Sequence, residues 1–159
     1  MAFRELGRKK QQLTAEECAG ILKQEKRGVL SVLGDDGYPY GTPMNHWYDE
    51  ADGTIWFHCG KTGHRLDALK RCGKASFCVY DHGYREEGDW ALHVKSAIVF
   101  GHIEIVDDLS VIADVTAKLS RKFTSDEDYI QGEITGYAGA TLLLKLTPEH
   151  ICGKRVHEA

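Results

Sequence analysis

The sequence predicts a mainly β protein with flanking helices, a six-stranded antiparallel barrel, and three observations carry that expectation. Short runs rich in β-branched and aromatic residues are joined mostly by tight turns, one strand-like segment is broken by two prolines, and glycine supplies 17 of 159 residues, above the usual ~7% and in keeping with many turns and bulges. A doubly wound sheet fits worse. It needs helices between nearly all successive strands, and no GxGxxG follows the first one.

The elements follow in order. Thr14-Ala15-Glu16-Glu17 is a capping box with Leu13 and Cys18 at the staple positions, and Cys18, Ile21 and Leu22 form one apolar stripe, so a helix is expected over about 15–26. Gly28 opens the run Val29–Leu33, and Gly34-Asp35-Asp36-Gly37 has the composition of a hairpin turn. Its partner, Tyr38 to Tyr48, places Tyr38, Tyr40, Thr42, Met44, His46 and Tyr48 on one face. Pro39 and Pro43 cannot donate to a ladder, so this strand belongs at an edge or a bulge, where backbone groups stay free for another partner such as a ligand. Thr54–Cys59, Lys74–Tyr80, Ser96–Val106 and Ala140–Leu146 complete the six strands, with Gly101 marking a bulge. Helices are expected at about 64–72, 109–123 and 126–135, the last with Ser125 as N-cap.

Composition narrows the function. With 20 Lys+Arg against 24 Asp+Glu the formal charge is −4, which argues against a strongly basic nucleic-acid binder. No repeat, low-complexity tract or linker divides residues 1–159, so one domain is expected. The N-terminus lacks an apolar signal core, and no run of about 18 apolar residues occurs, so neither secretion nor a membrane span is expected. Five cysteines without a CxxC suit a reducing cytoplasm. Glu149-His150-Ile151-Cys152 has no second pair at zinc spacing and reads as a peripheral strand end, and Arg8-Lys9-Lys10 as a solvated arm.

The most informative chemistry lies in Phe57-His58-Cys59-Gly60-Lys61-Thr62-Gly63-His64-Arg65, where a strand ends and a helix begins. Thr62 can cap that helix, Gly60 and Gly63 let a ligand approach the backbone, and first-turn N–H groups face outward with the positive end of the dipole. Lys61, His64 and Arg65 oppose that dipole, and an added anion relieves the conflict, so phosphate is the natural guest. A solvated helix start with fortuitous basic residues is the bland alternative. GxxxxGK[ST] is absent, so nucleoside triphosphate hydrolysis loses its main support. His58 is either a histidine satisfied by a backbone carbonyl or a functional one; Trp47, Trp56 and Trp90 either stack on a ligand or fill the core, and Trp90 best fits a subunit boundary.

The runs GYPYGTPMNHWYD, IWFHCGKTGHRLDALK, HVKSAIVFGHIEIV and LTPEHICGKRV resemble, in order and spacing over nearly the whole chain, the pyridoxamine 5′-phosphate oxidase-like flavoproteins of split-barrel fold, most of all the 5-nitroimidazole-reductase-like branch. The resemblance implies a homodimer with FMN bound between the subunits. It implies that the Thr42–His46 strand lies along the isoalloxazine ring, with backbone groups of Met44 and Asn45 at its polar edge. His58, Lys61, Thr62, Gly63, His64 and Arg65 match the segment that holds the ribityl phosphate; Ser96 matches a strand position near the ring or phosphate, and Gly153-Lys154 a late segment that approaches the site. Residues that grip pyridoxal phosphate in the oxidases proper have no convincing counterpart, which weighs against vitamin B6 oxidation.

The expectation is therefore an FMN-dependent oxidoreductase passing hydride from NAD(P)H to a small acceptor, nitro-aromatic or quinone-like. His58 is the candidate catalytic residue as proton donor, and Lys154 or a backbone N–H stabilises the reduced ring. The alternatives are a non-catalytic binder of flavin, another phosphorylated ligand or porphyrin, and a pyridoxal-phosphate binder.

Overall fold

The structure, a computed structural model, describes residues 2–158. Helix α1 (Ala15–Gln24) opens with the capping box in full: Thr14 accepts from the Glu17 N–H, and the Glu17 carboxylate accepts from the Thr14 N–H. Its stripe of Cys18, Ile21 and Leu22 is buried. Strand β1 (Arg27–Leu33) turns through a short 3₁₀ segment, Asp35–Gly37, into β2 (Pro39–Asn45). Then come β3 (Trp47–Tyr48), β4 (Ile55–Gly60), helix α2 (His64–Arg71), β5 (Lys74–Tyr80) and β6 (Leu92–Val106). Helices α3 (Leu109–Ser120) and α4 (Glu127–Tyr137) lead to β7 (Thr141–Glu158).

All seven strands form one sheet in the order β2-β1-β5-β6-β7-β4-β3, every pairing antiparallel. The count exceeds the expected six because the Tyr38–Tyr48 strand is cut at His46, and each piece pairs with a different neighbour: β2 with β1, β3 with β4. β2 and β3 are the two ends of the sheet order yet are one residue apart in sequence. The sheet must therefore curl into a barrel to bring its ends together. β2 holds the edge position that Pro39 and Pro43 require.

The barrel interior is filled by alternate residues such as Leu30, Phe57, Phe77, Val99 and Leu144, each fully buried. Burial of side chains of this size is worth about 1.5–3 kcal/mol apiece. Leu22 from α1 and Leu66 from α2 join that core. The outward-facing Trp56 and Leu143 of β4 and β7 are covered by Ile112 and Val115 of α3. Gly101 sits at a register shift between β6 and β7, where a Cβ would collide with the Thr147 carbonyl oxygen.

Some expected boundaries move. β7 continues to Glu158, so Glu149–Cys152 lies in mid-strand, not at a strand end. The N-cap of α4 is Asp126, which accepts from the Tyr129 N–H, in place of Ser125. Arg8 is exposed, but Lys9–Gln11 forms a 3₁₀ turn, and Leu13 donates to the Gly153 carbonyl.

His46 holds the break between β2 and β3. Its ring is fully buried, and Nε2 donates to the Leu22 carbonyl at 2.7 Å. The Lys122 ammonium donates to the His46 and Glu25 carbonyls, both at 2.7 Å. Burial, and secondarily the Lys122 charge, lower the His46 pKa to about 4. The unfolded chain therefore binds a proton here below about pH 6.5 while the native chain does not, so stability is lost as pH falls from about 6.5 to about 4. Chemical denaturation across that range is expected to show a loss on the order of 3 kcal/mol from this group. His46→Gln, which keeps a donor for Leu22 but does not titrate, should remove that part of the slope; an unchanged slope would refute the assignment.

Candidate functional site

The strand-to-helix junction forms a notch of ≈140 Å³ lined by Tyr40, Cys59, Gly60, Thr62, Gly63, His64, Arg65 and Leu66. That is below the ~300–1,000 Å³ of a pocket for a whole organic ligand, so the notch accepts one small group. Its walls come from β2, the end of β4 and the first turn of α2. Gly63, at φ 131°, a backbone conformation that favours glycine, is the N-cap of α2. It provides no side-chain cap, so the expected Thr62 cap is not formed and the first-turn N–H groups lack a side-chain acceptor.

Arg65 is the best-placed cation. Its Nη1 donates to the Thr42 hydroxyl at 2.9 Å, while Nε is buried without a partner. A buried guanidinium N–H left unpaired is costly, and an anion in the notch would satisfy it. His64 packs on Tyr40 with the rings tilted by 31° and their centroids 4.1 Å apart, and lies 3.5 Å from Asp35, which also binds Arg71 at 2.7 Å. Lys61 leans toward Asp107 at 3.7 Å. Tyr40 and Asp35 were not singled out from the sequence; the shared inward face of Tyr40, Thr42 and Met44 was the available signal for Tyr40.

His58 points to the outer face of β4 beside the notch, opposite in pleat to the buried Phe57. Partial desolvation, then the Arg65 charge, hold its pKa below the ordinary histidine value, so the ring is neutral at pH 7. Burial raises the Cys59 thiol pKa although Arg65 opposes the shift, which keeps it protonated.

The other sequence-derived residues fall in three places. Met44 is buried in the core with its backbone opposite Gly28, and Asn45 is half-buried opposite Arg27. The His46 side chain departs from the expected cofactor role: it is committed to the core, and its carbonyl and N–H are taken by Lys122 and Lys26. Ser96 and Lys154 are register partners on β6 and β7. Lys154 is thirteen residues along β7 from Thr141, the partner of Gly60 beside the notch; at ~3.3 Å per residue that is about 43 Å of strand path. On its other side Ser96 is the register partner of Tyr80, the last residue of β5. Trp56 is buried under α3 with Nε1 on the Thr54 hydroxyl, Trp47 is half-buried beneath the Lys118 ammonium, and Trp90 is 72% exposed.

A second cavity, ≈660 Å³, opens beside Arg27–Val29, Pro43, Tyr80 and His82. β2 joins the two sites: Tyr40 lines the notch and Pro43 the cavity, about 10 Å apart along the strand.

A curled antiparallel sheet closed at a strand break, with a cationic notch on its rim, defines a split-barrel protein. Residues 14–155 match the family described as pyridoxamine 5′-phosphate oxidase, and the chain belongs to that family. No curated protein matches the chain. Among solved structures, a conserved hypothetical protein of Mycobacterium tuberculosis superposes with a TM-score of 0.78 at 17% identity, over 96% of this chain and 90% of the other. A candidate 5-nitroimidazole antibiotic resistance protein from Bacteroides thetaiotaomicron VPI-5482 gives 0.75 at 17% identity, covering 92% and 87%. An FAD binding protein of Mycobacterium smegmatis gives 0.65 at 19% identity, covering 93% and 99%. At such identities the likeness is one of fold. No helix among the described residues is long and apolar enough to cross a membrane.

Because the Arg65 charge, after burial, lowers the His58 pKa, Arg65→Gln is expected to raise it. A histidine-resolved NMR titration reads this directly, and an unmoved or lower midpoint would show that the two charges do not interact.

Proposed function

We propose that the protein is an FMN-dependent oxidoreductase that works as a homodimer, takes hydride equivalents from NAD(P)H and reduces a small acceptor of nitro-aromatic or similar type. The observation that carries the reading is the Arg65 guanidinium, fixed on Thr42 with Nε unpartnered, at a helix start without a side-chain cap. Such a site favours a phosphate. Family membership and the flavin named for the Mycobacterium smegmatis neighbour support the choice of ligand.

In this reading Arg65, Lys61, His64, the Thr62 hydroxyl and the Gly63 backbone hold the ribityl phosphate. The β2 edge, through the backbone of Met44 and Asn45, carries the ligand from the notch toward the larger cavity, whose ≈660 Å³ is within the ordinary range for an organic ligand. Ser96, opposite the cavity-lining Tyr80, and its register partner Lys154 approach the flavin from that side. The flavin, when bound, supplies the hydride chemistry. The protein's own part is orientation and charge: Lys154 offsets negative charge on the reduced ring, and His58, uncharged at neutral pH, hydrogen-bonds the acceptor and relays a proton to it. The five free cysteines and the lack of a membrane-spanning helix among the described residues support a cytoplasmic setting.

Untreated protein is expected to show a flavin spectrum, with FMN identified by mass on release, and to elute as a dimer. NAD(P)H should bleach it without oxygen, and a nitro-aromatic should restore the colour. Arg65→Ala should weaken FMN binding by about tenfold or more, while His58→Ala should retain FMN and slow acceptor reduction. A flavin that binds but never cycles would make the protein a carrier; retention of pyridoxal phosphate in place of FMN would overturn the reading.

A further inference from the structure

Away from the notch, the loop over residues 81–91 folds back on the outer end of the β6–β7 pair. Asp81 ties its base, accepting from the Gly83 and Lys95 N–H groups through Oδ1. Tyr84 and His93 exchange backbone hydrogen bonds at 3.0 and 2.9 Å. The His93 ring stacks on Tyr84 at 4.8 Å and on His157, its register partner across the β6–β7 ladder, at 4.4 Å. Asp89 completes the group: Oδ1 accepts from the Ala91 N–H, and Oδ2 stands 3.7 Å from His157 Nε2.

We infer that Asp89, His93 and His157 form a binding site for a divalent transition cation of the zinc type, which clips the 81–91 loop to the β6–β7 ribbon. One donor atom from each residue lies within 4.8 Å of the other two. A tetrahedral ion with ~2.0–2.1 Å bonds needs donors about 3.4 Å apart, so the site closes by modest rotations. His157 and Asp89 have room for these, with side chains 53% and 41% exposed. His93 is the preset ligand, its ring held against Tyr84 and its Nε2 buried with no hydrogen-bond partner. Two imidazoles and one carboxylate suit zinc, nickel or copper far better than magnesium or calcium. Three protein ligands leave the fourth position of a zinc ion to water.

The test is calorimetric titration of untagged, chelator-treated full-length protein with zinc chloride. One ion per chain is expected, with a dissociation constant in the micromolar range or below. His157→Gln, a substitution at a well-exposed side chain, and Asp89→Asn should each weaken binding by about tenfold or more with an unchanged circular dichroism spectrum. Zinc should also slow tryptic cleavage after the exposed Arg85 in the wild type and not in His157→Gln. Absence of binding, equal affinity in the variants, or binding abolished by alkylating the five cysteines while the variants bind normally would each overturn the inference.

Discussion

The fold depends on one buried contact, the hydrogen bond from His46 to the Leu22 carbonyl, because it fixes the point at which the sheet closes. One residue separates a strand that pairs with β1 from a strand that pairs with β4, and these neighbours stand at opposite ends of the sheet order. A chain break of that size leaves backbone groups with no ladder to join. The Lys26 carbonyl and the Lys122 ammonium take up the His46 N–H and carbonyl that the ladder omits, while the His46 ring donates to the Leu22 carbonyl. Helix α1, the barrel seam and the segment after α3 are thereby tied at one locus, and the position of β2, which carries both candidate sites, follows from it.

Both the seam and the rim of the barrel keep a buried polar atom without a partner, His46 Nδ1 at the first and Arg65 Nε at the second, and the rim adds an α2 start without a side-chain cap. Unsatisfied polar groups are rare in folded proteins, and the one at the rim belongs to a cation that lines the notch together with His64. The larger cavity, ≈660 Å³, lies farther along β2 in the same chain.

Much of this was legible in the residues because local chemistry dictated it. The capping box at Thr14 and Glu17, the Gly34–Gly37 turn, the proline-marked edge strand and the Gly101 bulge each rest on interactions a few residues wide, and all four are present. The misreadings lie where tertiary context overrides local pattern. His46 alternates correctly with Met44 and Tyr48, and nothing nearby indicates that its strand changes partners there. β7 runs on past Leu146 because β6 supplies a partner as far as Glu158, although Thr147-Pro148-Glu149 looks like a strand end. Arg65 and its neighbours were visible as a basic cluster, whereas Asp35 and Tyr40 join them only through the β1–β2 hairpin.

The outer reach of the β6–β7 pair has a dynamic consequence. β5 ends at Tyr80 opposite Ser96, so residues 92–95 have β7 on one side and only the loop's bridges on the other. Isolated two-stranded ribbons are marginal in water, and protection in a native sheet is graded by how many neighbours a strand has. Fraying is therefore concentrated at this tip, while the interior of the barrel opens only with global unfolding. The protein carries a soft extremity on a rigid body, placed where Trp90 meets the surroundings.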